Sequence, residues 1–177
     1  LPSVYRVHPE FRGSTSWIGA LEVKHFEELV EQAAAREKTL PAPFSVHIHG
    51  DFNLDNVIFD ATDGKIHFID LHRSRFMDYV QDVSVFMVSN YRLQVHDAQT
   101  RRRVAQVASN MHTTAAKFAR TQGDKTFEYR LALGLARSFA TSTRFVFDKS
   151  HARRMFVRAR FLLDMAIACP EGKENRL

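Results

Sequence analysis

Asp51 and Asn56 stand five residues apart in a polar stretch, and Asp70 follows fourteen residues later. Two carboxylates and a side-chain amide make an all-oxygen donor set, which suits a hard cation such as Mg²⁺ that keeps some waters for a phosphate to displace. Phosphoryl transfer uses such a set. One acid takes or orients the acceptor's hydroxyl proton, while the other acid and the amide hold the metal that neutralises charge on the transferring group. Taken singly, Asp51 reads as a solvated turn acid and Asn56 as a cap or turn residue. Their joint spacing, with β-type sequence between them, favours chemistry.

The elements around these residues must bring them together. Val57, Ile58 and Phe59 follow Asn56 directly and read as a strand; Asp60, Asp63 and Gly64 supply turn chemistry, and residues 65–69 form a second β-rich run that ends at Asp70. A hairpin closes its open ends on one another, so Asn56 and Asp70 are expected side by side near Asp51. Residues 44–48 read as a brief extended segment leading into this loop, with Val46 and Ile48 alternating with His47 and His49. That alternation places two histidines on one face beside Asp51, as in metal-dependent hydrolases of the HxH type. Such enzymes sit on barrels of about 250 residues, and the βα alternation they need is missing from the C-terminal half here. One histidine organising the loop and one at the surface is the simpler reading.

The run HGDFNLDN, His49 to Asn56, resembles the HGDxxxxN loop of the aminoglycoside phosphotransferase and choline kinase-like family, and IDLHRSRFMD, Ile69 to Asp78, is similar to its metal-binding segment. The resemblance implies a protein-kinase-like fold and the use of ATP and Mg²⁺ to phosphorylate a hydroxyl of a small molecule. It makes Asp51 the catalytic base, Asn56 and Asp70 the metal and nucleotide ligands, and His49 an organiser of the loop. Asp78 and Asp82 match acids that support the site, Asp82 from the next helix. The sequence departs from the pattern at Met77, where glycine is usual, at Leu71, where tryptophan is common, and at Asn53 and Asp55, where histidine and glycine are common. A protein kinase would carry Arg and Lys where Gly50 and Asn53 stand, and a long activation segment ending in APE. Neither is present, which favours a small-molecule acceptor. A non-catalytic kinase-like binding or regulatory module is the competing reading, although a scaffold has no chemical need for all three of Asp51, Asn56 and Asp70.

With 177 residues, 45% of them apolar and 15 of them phenylalanine, the chain can bury a core as one globular domain. The lone cysteine excludes an internal disulfide. No apolar run reaches the ~18 residues of a membrane span and no signal-type N-terminus is seen, so a cytoplasmic protein without a membrane partner is expected. The net charge of +5 reads as a solvated surface, and nucleic-acid motifs are absent.

Residues 1–19, with Pro2, Pro9, Gly13 and Gly19, read as an irregular lead-in. Residues 20–38 carry apolar side chains at helical spacing and predict an amphipathic helix that Pro41 and Pro43 follow. Four further helices are predicted at 79–93, 98–122, 127–147 and 150–168, with Asp97, Asp124 and Asp148 near their starts and Gly123 after the second. The whole is an α+β, mainly helical chain with a short hairpin bearing the catalytic and metal-binding loops. A Gly-rich phosphate loop and a strand lysine paired with a helix glutamate are not found. Residues 1–177 are therefore expected to be the C-terminal catalytic lobe, without the nucleotide-binding lobe, and the start at Leu1 agrees with a piece of a longer polypeptide.

Overall fold

The computed structural model describes residues 1–13, 17–18, 21–22 and 24–176. In chain order its elements are α1 (Pro2–Val7), β1 (Trp17–Ile18), β2 (Leu21–Glu22), α2 (Phe26–Glu37), β3 (Val46–Ile48), β4 (Val57–Asp60), β5 (Lys65–Phe68) and β6 (Arg75–Met77). The helices α3 (Val80–Arg92), α4 (Ala98–Thr121), α5 (Phe127–Ser142) and α6 (Lys149–Ala168) follow. The chain is mainly helical, and its described strands pair antiparallel in three two-stranded sheets, β1 with β2, β3 with β6 and β4 with β5. It divides into two compact units, Leu1–Pro41 with Glu128–Leu177, and Ala42–Phe127.

In the first unit α2 packs on α6. The apolar spacing of α2 buries Phe26, Leu29 and Ala33, and Phe156 of α6 stacks between Phe26 and Phe11 with ring centroids 4.4 Å apart on each side. Burying side chains of this size stabilises by about 1.5–3 kcal/mol each. Polar side chains tie the element ends. His8 is buried and its Nε2 lies 3.0 Å from the carbonyl of Thr143 and 2.9 Å from that of Val146. Arg36 donates to the carbonyl of Ala166, which also accepts the Cys169 N–H closing α6, and to that of Cys169 just past the helix end. Asp148 caps α6 by accepting the His151 N–H at 2.6 Å.

In the second unit α3 packs against α4. Tyr79 gathers Phe44, Phe118 and Phe127 around its ring at 5.2–5.8 Å, and its hydroxyl donates to Asp124. Asp97 accepts the Thr100 N–H at 2.6 Å to open α4, and Gly123 at φ +69° closes it.

Four expectations differ from the structure. The lead-in contains α1, which begins with Pro at its first position; six residues are too few to show a helical period. The helix expected over 20–38 starts at Phe26, because Leu21 and Glu22 pair with Ile18 and Trp17; Gly19 and Ala20, where lead-in was expected to give way to helix, lie outside the described residues. The helix expected to reach 147 ends at Ser142 in a 3-10 turn, Thr143–Phe145, after which Val146 is extended ahead of the Asp148 cap. Strand β6 was not anticipated: Arg75, Phe76 and Met77 pair with Ile48, His47 and Val46.

Candidate functional site

The loop after β3 is built by side chains that bond to backbone. Asp82, in the first turn of α3, accepts the N–H of His49 at 2.6 Å on one carboxylate oxygen and that of Gly50 at 2.9 Å on the other. The Asp51 N–H donates to Nδ1 of His49 at 3.3 Å, so the ring proton sits on Nε2, which donates to the Ile69 carbonyl at 2.9 Å. One buried imidazole thus joins the loop to the end of the hairpin. Gly50 adopts φ +85°, and a Cβ there would lie 2.3 Å from the carbonyl oxygen of Arg73, so only glycine fits. Phe52 packs beneath, its ring 5.2 Å from Phe86 and 5.7 Å from Phe68.

The hairpin forms in the register Val57↔Phe68 to Asp60↔Lys65. Its open end is extended by a bond from the Ile69 N–H to the Asn56 carbonyl at 3.1 Å, which brings Asp70 beside Asn56. The Asn56 amide nitrogen donates to the Asp51 carbonyl at 2.8 Å, leaving the amide oxygen as an acceptor. Asp70 takes up a left-handed backbone conformation at φ 60°. Asp51, Asn56 and Asp70 are therefore gathered at one corner, as their spacing led us to expect. The donor set is a carboxylate and an amide oxygen with a second carboxylate adjacent, which fits a hard divalent cation.

The carboxylates have partners of their own. Asn53 donates to Oδ1 of Asp51 at 2.5 Å and Arg73 to Oδ2 at 3.0 Å. Arg73 also donates through Nε to Nε2 of His72 at 3.3 Å, so His72 carries its proton on Nδ1, 2.5 Å from Oδ1 of Asp70. A continuous chain of polar contacts, Asp51–Arg73–His72–Asp70, thus links the two acids. Sequence reasoning missed Asn53, His72 and Arg73. Asn53 was visible only as a departure from the family pattern, and Arg73 reaches Asp51 only through the turn after Asp70, which no local spacing discloses.

Asp78 accepts the Val80 N–H at 3.0 Å at the start of α3. Asp55 pairs with Arg92 of α3 at 3.1 Å, and the Leu54 N–H donates to Ser89, so α3 holds the far end of the loop too. The hairpin turn gathers Asp60, Asp63 and His67 with ligand atoms within 4.8 Å, but the Lys65 ammonium already sits 2.5 Å from Asp63. There the Thr62 N–H on Asp60 holds its carboxyl below the usual range.

A model of the phosphotransferase enzyme family matches residues 10–122, a span containing the loop, the hairpin, α3 and α4. The chain belongs to that family. No curated protein and no solved structure matches it. Membership of the phosphotransferase family identifies the chain as a kinase-like transferase. Among the described residues, no helix is long and apolar enough to cross a membrane.

Proposed function

We propose that this chain carries the chemical centre of an ATP-dependent phosphotransferase acting on a hydroxyl of a small molecule. The observation that carries the reading is the bonded corner joining Asp51, Asn56 and Asp70, since these are the side chains the transfer needs and two independent backbone contacts, at Ile69 and at Asp82, hold them there. Asp51 accepts the proton of the acceptor hydroxyl as its oxygen bonds to the γ-phosphorus and the bond to ADP breaks. Asn56 and Asp70 would hold Mg²⁺, which would supply neutralisation of the charge on the phosphates. His49 shapes the loop, and Asp78 and Asp82 support it from the start of α3. Arg73 and Asn53 orient the Asp51 carboxylate, and Arg73 has to yield or share Oδ2 when the hydroxyl arrives.

Residues 1–177 serve as the C-terminal catalytic lobe in this reading, working with a nucleotide-binding lobe of the same polypeptide that supplies the Gly-rich loop and the lysine. The exposed face of Phe59, Ile66 and Phe68 beside Asn56 offers apolar surface for that lobe or the nucleotide base to cover. The enzyme works in the cytoplasm on this view.

The test is ATP consumption against a panel of hydroxyl compounds by the full polypeptide. Asp51→Asn is expected to lower turnover by about a hundredfold or more with nucleotide affinity nearly unchanged. Nucleotide binding with no turnover against any acceptor, in parent and variant alike, would favour a non-catalytic module instead.

A further inference from the structure

The first unit holds a pocket of about 240 Å³, open on one side, between α2, α5 and α6. Its walls are Phe26, Val30 and Ala33 of α2, Leu133 and Ala140 of α5, and Leu163 of α6. The hollow exists because small side chains face one another where larger ones would have closed the helix packing. An apolar cavity of about 150 Å³ already takes a benzene ring, so this one has room for a ring or short chain with substituents.

One end of the pocket is polar. Arg137 and Glu37 form an ion pair in which a single guanidinium nitrogen, Nη2, donates to both carboxylate oxygens, at 2.8 and 3.0 Å. The carboxylate is thereby engaged on both oxygens, whereas Nη1 and Nε of Arg137 have no partner among the described residues. An ammonium head would have to take Glu37 from Arg137. A carboxylate head would leave that pair intact and take the remaining, solvent-facing donors of Arg137 in the planar geometry that suits it, against the repulsion of the Glu37 charge.

We infer that this pocket binds a small monocarboxylate with an apolar body, the body among the alanines and leucines and the carboxylate on Arg137. It is a separate binding site from the loop and hairpin residues, and it uses none of them.

Isothermal titration of the protein with sodium octanoate, octylamine and 1-octanol tests this. Octanoate is expected to bind about threefold tighter than octylamine, the increment of one charged contact at a half-exposed site. Arg137→Leu should remove the advantage of octanoate over octanol while octanol still binds. Ala140→Leu should fill the pocket and abolish binding of all three. Because Ala140 is buried, Ala34→Phe at the exposed rim provides the same block in a variant whose fold is checked by circular dichroism. Octanoate binding that survives both blocks would place it elsewhere, for example on the exposed hairpin face, and would overturn the assignment. So would a preference for octylamine, no binding at millimolar octanoate, or a dimer in sedimentation that Ala34→Phe dissociates, since the groove would then take a second copy.

Discussion

The two units spend their polar side chains differently. In the unit formed by Leu1–Pro41 and Glu128–Leu177, His8 and Arg36 bond to carbonyls at the ends of elements, so that buried polar groups serve the packing around the Phe11, Phe156 and Phe26 stack. In Ala42–Phe127, Asp82, His49, Asn56 and Ser89 bond to backbone to shape one loop. That loop stands among apolar side chains left outside: Ile58, Phe59, Ile66, Phe68, Ile69, Leu71 and Phe76 are 42–73% exposed. Geometry is being held there by hydrogen bonds where apolar burial is thin, which is how a site is kept in a fixed shape while its surface stays open to ligands. Substitutions in the first unit should therefore cost stability, and substitutions in the loop should cost turnover as well.

The largest effect is expected at Gly50. A side chain there meets the Arg73 backbone, which cannot swing aside, and must also hold φ +85°. Gly50→Ala should lose about 3 kcal/mol or more in urea unfolding together with nearly all turnover. A variant as stable and active as the parent would show that the loop is not pinned at that point. His8→Ala comes next, with a loss of about 2 kcal/mol, because the buried carbonyls of Thr143 and Val146 lose the imidazole between them, Thr143 keeping only the Val146 N–H. Turnover measured well below its melting point should match the parent; a drop in the folded protein would erase the distinction between the units. Asp82→Asn is expected to cost about 1–2 kcal/mol, as one of two charge-assisted bonds to the loop backbone is lost. Turnover should nonetheless fall more than tenfold, since small misplacements of a reacting group are costly. A stability loss without a rate loss would mean that Asp82 braces the fold and not the site.

What the sequence disclosed follows the same division. Long helices announce themselves by period, and α3, α4 and α6 lie within one residue of their expected ends. The hairpin was legible because its turn residues and both strands are contiguous, and the corner of Asp51, Asn56 and Asp70 followed from closing it. Strand β6 was not legible. Its three residues pair with β3 across a long stretch of chain, and neither strand carries enough residues for an alternation to declare itself. Arg73 escaped for a related reason: its contact with Asp51 depends on the left-handed turn at Asp70 and the 3-10 turn at Leu71–Arg73. Helix α1 was too short for its period to show.

The smallest effect concerns a feature on which the two units should agree. Asp97 and Asp148 do the same work at the starts of α4 and α6, each accepting a backbone N–H three residues on at 2.6 Å, and both were legible as caps. The Thr100 N–H, its hydroxyl and the charge of Arg101 hold the Asp97 carboxyl below its usual range. A folded-state value below the unfolded one means that the cap contributes fully above the unfolded carboxyl's pKa of about 3.9, and that the contribution fades as the pH falls through the folded value. Asn caps well but carries no charge to meet the positive end of the helix. Urea midpoints of Asp97→Asn should therefore lie below the parent's at pH 7, and the gap should be smaller at about pH 3, below the unfolded carboxyl's pKa, where part of the ionised cap's contribution has been lost. A gap of equal size at both pH values would assign the difference to the shape of the cap and not to its ionisation.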